Sequence, residues 1–346
     1  MNPEAMDVHL LASGEEEIWE QFVALCPEAT FFHRVGWKQI TEKVFGHQTY
    51  YLWARSSEGV RGVLPLVHVR SRLFGNALVS TPFCVYGGVA ALDEAARLAL
   101  ESRAETLARD LKVGWLECRN SLPRRAEWAG KPFYFTFRKR IEPNPEANLL
   151  AIPRKQRAEV RRGAQNGLIS LLDNHVDGQC FDVYSESVRN LGTPVFPRAL
   201  FRALKETFGD DCEGLRIEQN GKTVSSVVSF YFRDQVLPYY GGGVREARAL
   251  GAMAFMYWEL MTRAADRGAR VFDFGRSKQG SGSFDFKKYY GFTPEPLHYR
   301  YCLVQAKSLP EINTMNPKYQ MFIRLWKHLP LPVAERLGPL LSRHLG

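Results

Sequence analysis

The chain has 346 residues, 45% of them hydrophobic, enough to bury one large core or two modest ones, and its length favours two. Forty-six Lys and Arg against 37 Asp and Glu give a formal net charge of +9, which suits anionic partners such as phosphates, nucleic acid or acidic lipid without choosing among them. Cys26, Cys84, Cys118, Cys180, Cys212 and Cys302 are scattered with no C-x-x-C pair, which points away from a zinc site or a disulfide framework and toward reduced thiols.

The first residues, MNPEAMDVHLLASGEEEIWEQF, turn acidic where a secretory signal needs a basic start and a longer apolar run. No segment reaches the roughly 20 uninterrupted apolar residues of a membrane span, so the expectation is a soluble, cytoplasmic protein. Apolar residues at helical spacing predict helices over residues 15–25, 34–45 and 93–111, while YYLWA, VRGVLPLVHV, GWLEC and FYFTFRKRI read as strands. Trp37, in FFHRVGWKQI, reads as an anchor of that first core. Pro143, Pro145 and Pro153 then punctuate the chain ahead of a charged helix closing at Gly163 or Gly167. They set the expected boundaries: an N-terminal domain over 1–145, a C-terminal domain over 146–310 and a basic amphipathic tail over 311–346.

The second unit reads as helices over about 178–190 and 197–208, strands GLRIEQN, KTVSSVVSFYFR and QVLPYYGGG, a helix over about 250–267 and a strand ARVFDFG. Both halves run helix, helix, strands, helix, strand without a residue-level repeat, so the expectation is two tandem copies of one α/β fold with mixed, mainly antiparallel sheets.

That order resembles the GNAT acyltransferase fold, in which a splayed sheet holds an acyl donor beside an amine. FFHRVGWKQI, IPRKQRAEVRRGAQNGL and ARVFDFGRSKQGSGSFDFKKYYGF resemble the ordered signatures of Fem-type proteins, the tandem-GNAT aminoacyl ligases that add amino acids from aminoacyl-tRNA to peptidoglycan precursors. The resemblance covers roughly residues 30 to 305. Within that group, VRNLGTPVFPRALFRAL with FDFKKYYGF is most similar to Fem-related proteins associated with exosortase and PEP-CTERM sorting in exopolysaccharide-producing bacteria.

The resemblance makes Lys287 the candidate for stabilising the oxyanion of acyl transfer or for holding donor phosphate, with Lys288 as its alternate. Consecutive helical residues project about 100° apart, so only one of the two can face a cleft. The plain alternative is a short helix whose lysines are solvated while Phe284, Phe286, Tyr289, Tyr290 and Phe292 pack. Gly275 can bring backbone amides to an anion, and Arg276 can grip phosphate or carboxylate bidentately or pair with Asp273. Asp273 reads equally as a base or as a structural hydrogen-bonding group.

Arg154, Arg157 and Arg161 fall at i, i+3 and i+7, one face able to grip a nucleotide diphosphate or a tRNA backbone, or simply a solvated face. GNAT-type acetyl-CoA users carry an Arg/Gln-x-x-Gly-x-Gly/Ala turn whose amides hold pyrophosphate. This chain offers Arg248 and Gly251 but ends the pattern on Met253. Gly241, Gly242 and Gly243 leave room for close backbone approach, and Tyr239 and Tyr240 either orient an acceptor amine or pack.

Scattered histidines without metal-ligand spacing, and the lack of a G-x-S-x-G elbow, leave direct transfer to a bound amine without metal or covalent intermediate. The expected function is therefore N-acyl transfer (acyl or aminoacyl) to an amine of a cell-envelope or exopolysaccharide precursor. The donor, acyl-CoA or aminoacyl-tRNA, would be a co-substrate, and no cofactor would be tightly bound. The Fem resemblance favours tRNA, but Fem ligases insert a long helical hairpin in the second domain and no heptad stretch occurs between 210 and 300, which weakens the tRNA reading without excluding it. The competing reading is a noncatalytic assembly factor for polysaccharide export or protein sorting that keeps the phosphate cradle. The tail combines Phe322, Leu325, Trp326 and Leu329 with Arg324, Lys327 and His328, suited either to the inner face of an anionic membrane or to docking on the body.

Overall fold

The computed structural model describes residues 6–71, 75–309 and 317–344, with backbone alone at 317–319. The chain divides into two compact units: one runs to Tyr134 and takes in a return segment from Pro296, the other runs from Phe135 to Glu295 and takes in the C-terminal helices to Ser342.

In the first unit the strands Gln48–Ser56, Gly59–Ser71 and Gly75–Ser80 form an antiparallel meander, and Gly75–Ser80 then pairs in parallel with Trp115–Asn120. A parallel neighbour needs a crossover, supplied by the helix Glu94–Asp110. That helix buries Ala96, Leu100, Ala104 and Ala108, spaced by four, against Leu52, Leu64, Leu66, Leu78 and Leu116 of the sheet. Asp93 caps its N-terminus by accepting from the Ala96 amide, and this bond, with Arg61 beside it, lowers the Asp93 pKa. Trp37 is buried against Phe31 and Phe32, as its place in the sequence suggested.

The second unit repeats the plan. Cys212–Gln219, Lys222–Phe232 and Gln235–Gly243 form an antiparallel meander, the helix Ala252–Asp266 crosses over, and Val271–Asp273 pairs in parallel with Gln235–Gly243. The crossover helix and Arg154–Gln165 pack on one face with Leu215, Ile217, Val227 and Val236. The helices Gln179–Leu191 and Arg198–Phe208 bury Phe181, Tyr184, Leu200, Phe201 and Leu204.

The division differs from the one expected at Pro145. Tyr134–Arg140 lies in the second sheet, antiparallel to Val271–Asp273, and His298–Leu303 lies in the first, antiparallel to Trp115–Asn120. Each sheet is completed by a strand from the other half of the sequence. Pro145 opens a short helix, Pro145–Leu150, at the first-turn position where its missing N–H costs nothing, with Asn144 as cap. The tail's helices Pro317–Lys327 and Leu331–Ser342 belong to the second unit and lie against Gln179–Leu191.

Candidate functional site

The site is set by where the second sheet divides. Gln235–Gly243 pairs with Val271–Asp273 at only two positions, Gln235↔Val271 and Val236↔Phe272. Beyond them Gln235–Gly243 runs on beside Lys222–Phe232, with a register shift between Val228 and Ser229 that puts a bulge near Tyr239. The chain after Asp273 instead stays with Tyr134–Arg140, the Phe274 amide donating to the Phe137 carbonyl at 2.9 Å. Two strands that start as neighbours thus part after two pairs.

One wall of this division is stiffened by Asp273 and Lys287. Asp273 is 1% exposed; its carboxylate accepts from the Thr136 hydroxyl at 3.2 Å and the Gly275 amide at 2.8 Å and lies 3.4 Å from Arg138 Nε. Lys287 is 8% exposed, and its ammonium donates to the carbonyls of Phe274 at 2.7 Å, Gly275 at 3.0 Å and Arg276 at 3.2 Å. The helix Gly282–Tyr289 delivers it: Ser281 caps the N-terminus, and Phe284 and Lys287, three apart, are its buried residues. The rings of Phe137 and Phe274 lie 5.4 and 5.8 Å from Nζ. Burial pushes the Lys287 pKa down to about 7, while Asp273 pulls it up and Arg276 pushes it further down. Three carbonyl acceptors also favour the charged form.

Asp273, Gly275, Arg276 and Lys287 therefore form one cluster. The Lys287 donors are directed at the turn Phe274–Arg276. Lys288 is exposed, 5.8 Å from the Phe284 ring, and takes the solvated role foreseen for one of the pair. The amide of Gly275, expected to meet an anion, is bonded to Asp273; its φ of +63° is what the turn requires. Asp273 is occupied as a structural hydrogen-bonding group. Arg276 is exposed at the turn.

On the other strand, Tyr240 is 5% exposed and its ring packs among Tyr184, Phe196, Phe201, Phe230 and Tyr239. The room foreseen at the glycines is filled. A Cβ on Gly242 would lie 2.4 Å from the Ser187 Cβ, and one on Gly243 2.6 Å from that of Ala247. Arg248 is exposed, and its carbonyl accepts from Arg162 at 3.0 Å. Gly251, at φ +74°, lies where a Cβ would come within 2.5 Å of the Glu159 carbonyl, so this glycine lets Arg154–Gln165 approach the start of Ala252–Asp266. Arg154, Arg157 and Arg161 lie off the helix's buried face of Val160 and Gly163; Arg157 donates to the Leu150 carbonyl at 3.3 Å, and Arg154 and Arg161 are exposed. Arg154 follows Pro153, whose ring would meet a Cβ on Gly291 at 2.8 Å, so the basic helix begins just behind the helix carrying Lys287.

Sequence reasoning missed Thr136 and Arg138. The only signal was their two-residue spacing in YFTFRKR, which puts both on one face of a strand, and that strand had been given to the other domain. It also missed a small polar cleft in the first unit, lined by Glu28, His33, Gly88, Arg119, Asn120 and Arg124 among others. Most of its polar groups are internally engaged: Glu28 holds Arg97 and Arg124, and His33 bonds Thr30 and the Gly88 carbonyl.

Residues 154–288 match the family model described as an acetyltransferase (GNAT) domain. No curated protein matches the chain by sequence. Among solved structures, FemX is similar at 14% identity and a TM-score of 0.67, covering 92% of this chain and 100% of that one. A tandem GNAT protein from the clavulanic acid biosynthesis pathway is similar at 12% identity and a TM-score of 0.57, covering 88% of this chain and 100% of that one. The C-terminal domain of a putative lysylphosphatidylglycerol synthetase from Agrobacterium fabrum follows at 11% and 0.56, covering 84% and 91%. The chain has a two-domain α/β GNAT-like fold.

Proposed function

We propose that the protein is an N-acyltransferase that passes an acyl or aminoacyl group directly to an amine, using the division in the second sheet. The observation that carries this reading is the parting of Gln235–Gly243 from Val271–Asp273 after two pairs, inside the segment that matches the acetyltransferase domain. In a gap between parting strands, oriented backbone amides lower the barrier to the tetrahedral oxyanion of an acyl carbonyl. The amine nitrogen attacks the carbonyl carbon, the thioester or ester bond breaks, and the amine proton passes to solvent or to the departing thiol or 3′-hydroxyl. Lys287 acts as a positioning residue in this scheme, fixing the turn that forms one wall.

The donor is an acyl-CoA or an aminoacyl-tRNA, with Arg154 and Arg161 suited to its phosphates. The likeness to FemX supports an amine of a cell-envelope precursor as acceptor, and the Fem-type signatures extend this to exopolysaccharide and PEP-CTERM systems. Purified protein is to be assayed with labelled acyl-CoAs and aminoacyl-tRNAs against amine acceptors, with Lys287→Ala and Lys288→Ala alongside. Turnover lost in the first and kept in the second supports the reading. One observation favours a noncatalytic assembly factor instead: every donor of the buried ammonium is committed to backbone. Donor binding without turnover by the parent chain would establish that alternative.

A further inference from the structure

The helices Pro317–Lys327 and Leu331–Ser342 each have two unlike faces. Inward, Trp326 is buried and Ala334, Gly338 and Ser342 recur every fourth residue. Gly338 lies so close to the chain that a Cβ would come within 2.6 Å of the Val195 carbonyl, and a Cβ on Gly192 would meet Ile323 at the same distance. The Ser185 hydroxyl donates to Glu335 at 2.7 Å, and Arg189 donates to the Leu329 carbonyl at 2.8 Å. This small-residue face accounts for the docking on Gln179–Leu191.

The outward faces are what docking leaves unexplained. Met321, Phe322 and Leu325 on one helix, and Val333, Leu337 and Leu340 on the other, are exposed, the largest at 63%. They make up six of the eighteen exposed large apolar side chains among the described residues, within a span of twenty positions. Such concentration marks an interaction surface, whereas scattered apolar residues do not. Arg324, Lys327 and Arg336 are exposed on the same helices, and His328 is exposed in the turn between them. Glu335, the sole carboxylate between 320 and 342, is turned inward to Ser185 and lies 3.8 Å from Arg198. The outer surface thus joins apolar stripes to cations with no acidic counterweight.

We propose that this helix pair docks the protein on an anionic lipid bilayer, the apolar stripes entering the boundary between headgroups and acyl chains and the cations lying on lipid phosphates. Both parts of that chemistry are what an interfacial helix needs, and neither stripe is long enough to span. The proposal is independent of the transfer reaction.

Its test is co-sedimentation of the full chain with vesicles of phosphatidylcholine alone and with added phosphatidylglycerol. The variants are Leu325→Glu with Leu340→Glu, and Arg324→Gln with Lys327→Gln and Arg336→Gln. The parent is expected to pellet with the anionic vesicles, less so in high salt, and to stay in solution with phosphatidylcholine. The glutamate variant should lose binding with its melting temperature unchanged, and each removed cation should weaken partitioning about fivefold. No pelleting, or equal pelleting with both vesicles, overturns the proposal. So does a concentration-dependent dimer that the glutamate variant abolishes without any lipid binding by the parent, which would make this face a self-association surface.

Discussion

The two units build the same parallel seam and finish it differently. In the first, Gly75–Ser80 and Trp115–Asn120 pair at Ala77↔Trp115, Leu78↔Leu116 and Val79↔Glu117, and the seam is then laced shut: the Arg119 amide donates to the Ser80 hydroxyl at 2.8 Å. The Arg119 guanidinium, 2% exposed, bonds Glu117 at 2.9 Å and the Cys84 carbonyl at 2.7 Å, tying down a turn in which Thr81 and Phe83 hold positive φ without being glycine. In the second unit a buried cation also gathers turn carbonyls, but Lys287 takes them from the turn after Val271–Asp273, so it draws that strand's end away from Gln235–Gly243. One buried cation closes a seam; the other braces an open one. The cations differ in kind as well: burial disfavours charge on Arg119, but Glu117 outweighs it and its pKa is raised, whereas that of Lys287 falls to about 7. The two units thus share one plan and differ in how the parallel seam is finished.

The comparison breaks most readily at Arg119. Arg119→Met leaves Glu117 buried without its partner and is expected to cost about 3–5 kcal/mol in urea unfolding of the first unit. Substitution at Lys287 comes next. Lys287→Ala frees the Phe274–Arg276 turn and is expected to reduce acyl transfer about 100-fold in kcat, the scale of an ångström-level misplacement. Gly251→Ala combines a disfavoured backbone with a clash on the Glu159 carbonyl, and thermal melting should report a loss of about 1–3 kcal/mol. Lys288→Ala, on an exposed side chain, should change stability by under about 0.5 kcal/mol and leave transfer intact.

A pH series sharpens the contrast between the cations. Between about pH 7 and the ordinary lysine range, the unfolded chain holds the Lys287 proton and the folded chain releases it. Stability from this group therefore rises with pH across that window, and below it the full cost of burying the charge remains. Lys287→Met should flatten that slope, whereas Arg119, charged throughout, should contribute none.

Most elements were legible in sequence because their signals are local. Alternation marked VRGVLPLVHV and KTVSSVVSFYFR as strands, and the four-residue spacing of Ala96, Leu100 and Ala104 marked a helix. Partnership was not legible: FYFTFRKRI looks the same whichever sheet it joins, and only the long-range ladders to Val271–Asp273 and Trp115–Asn120 show that two strands are exchanged. In FDFKKYYGF, helical geometry allowed one lysine inside. That the inside one would cap a turn depends on carbonyls set by the end of a different strand. Gly251 was visible as a glycine before a helix, but its reason, the Glu159 carbonyl, lies far away in sequence.

The most direct measurement of the central claim is hydrogen–deuterium exchange of the full chain with and without a donor shown to bind it. Protection confined to Gln235–Gly243 and the residues after Val271–Asp273, with Gly75–Ser80 and Trp115–Asn120 unchanged, is the expected result. Protection at the first unit's seam, or none at the second's, would contradict it.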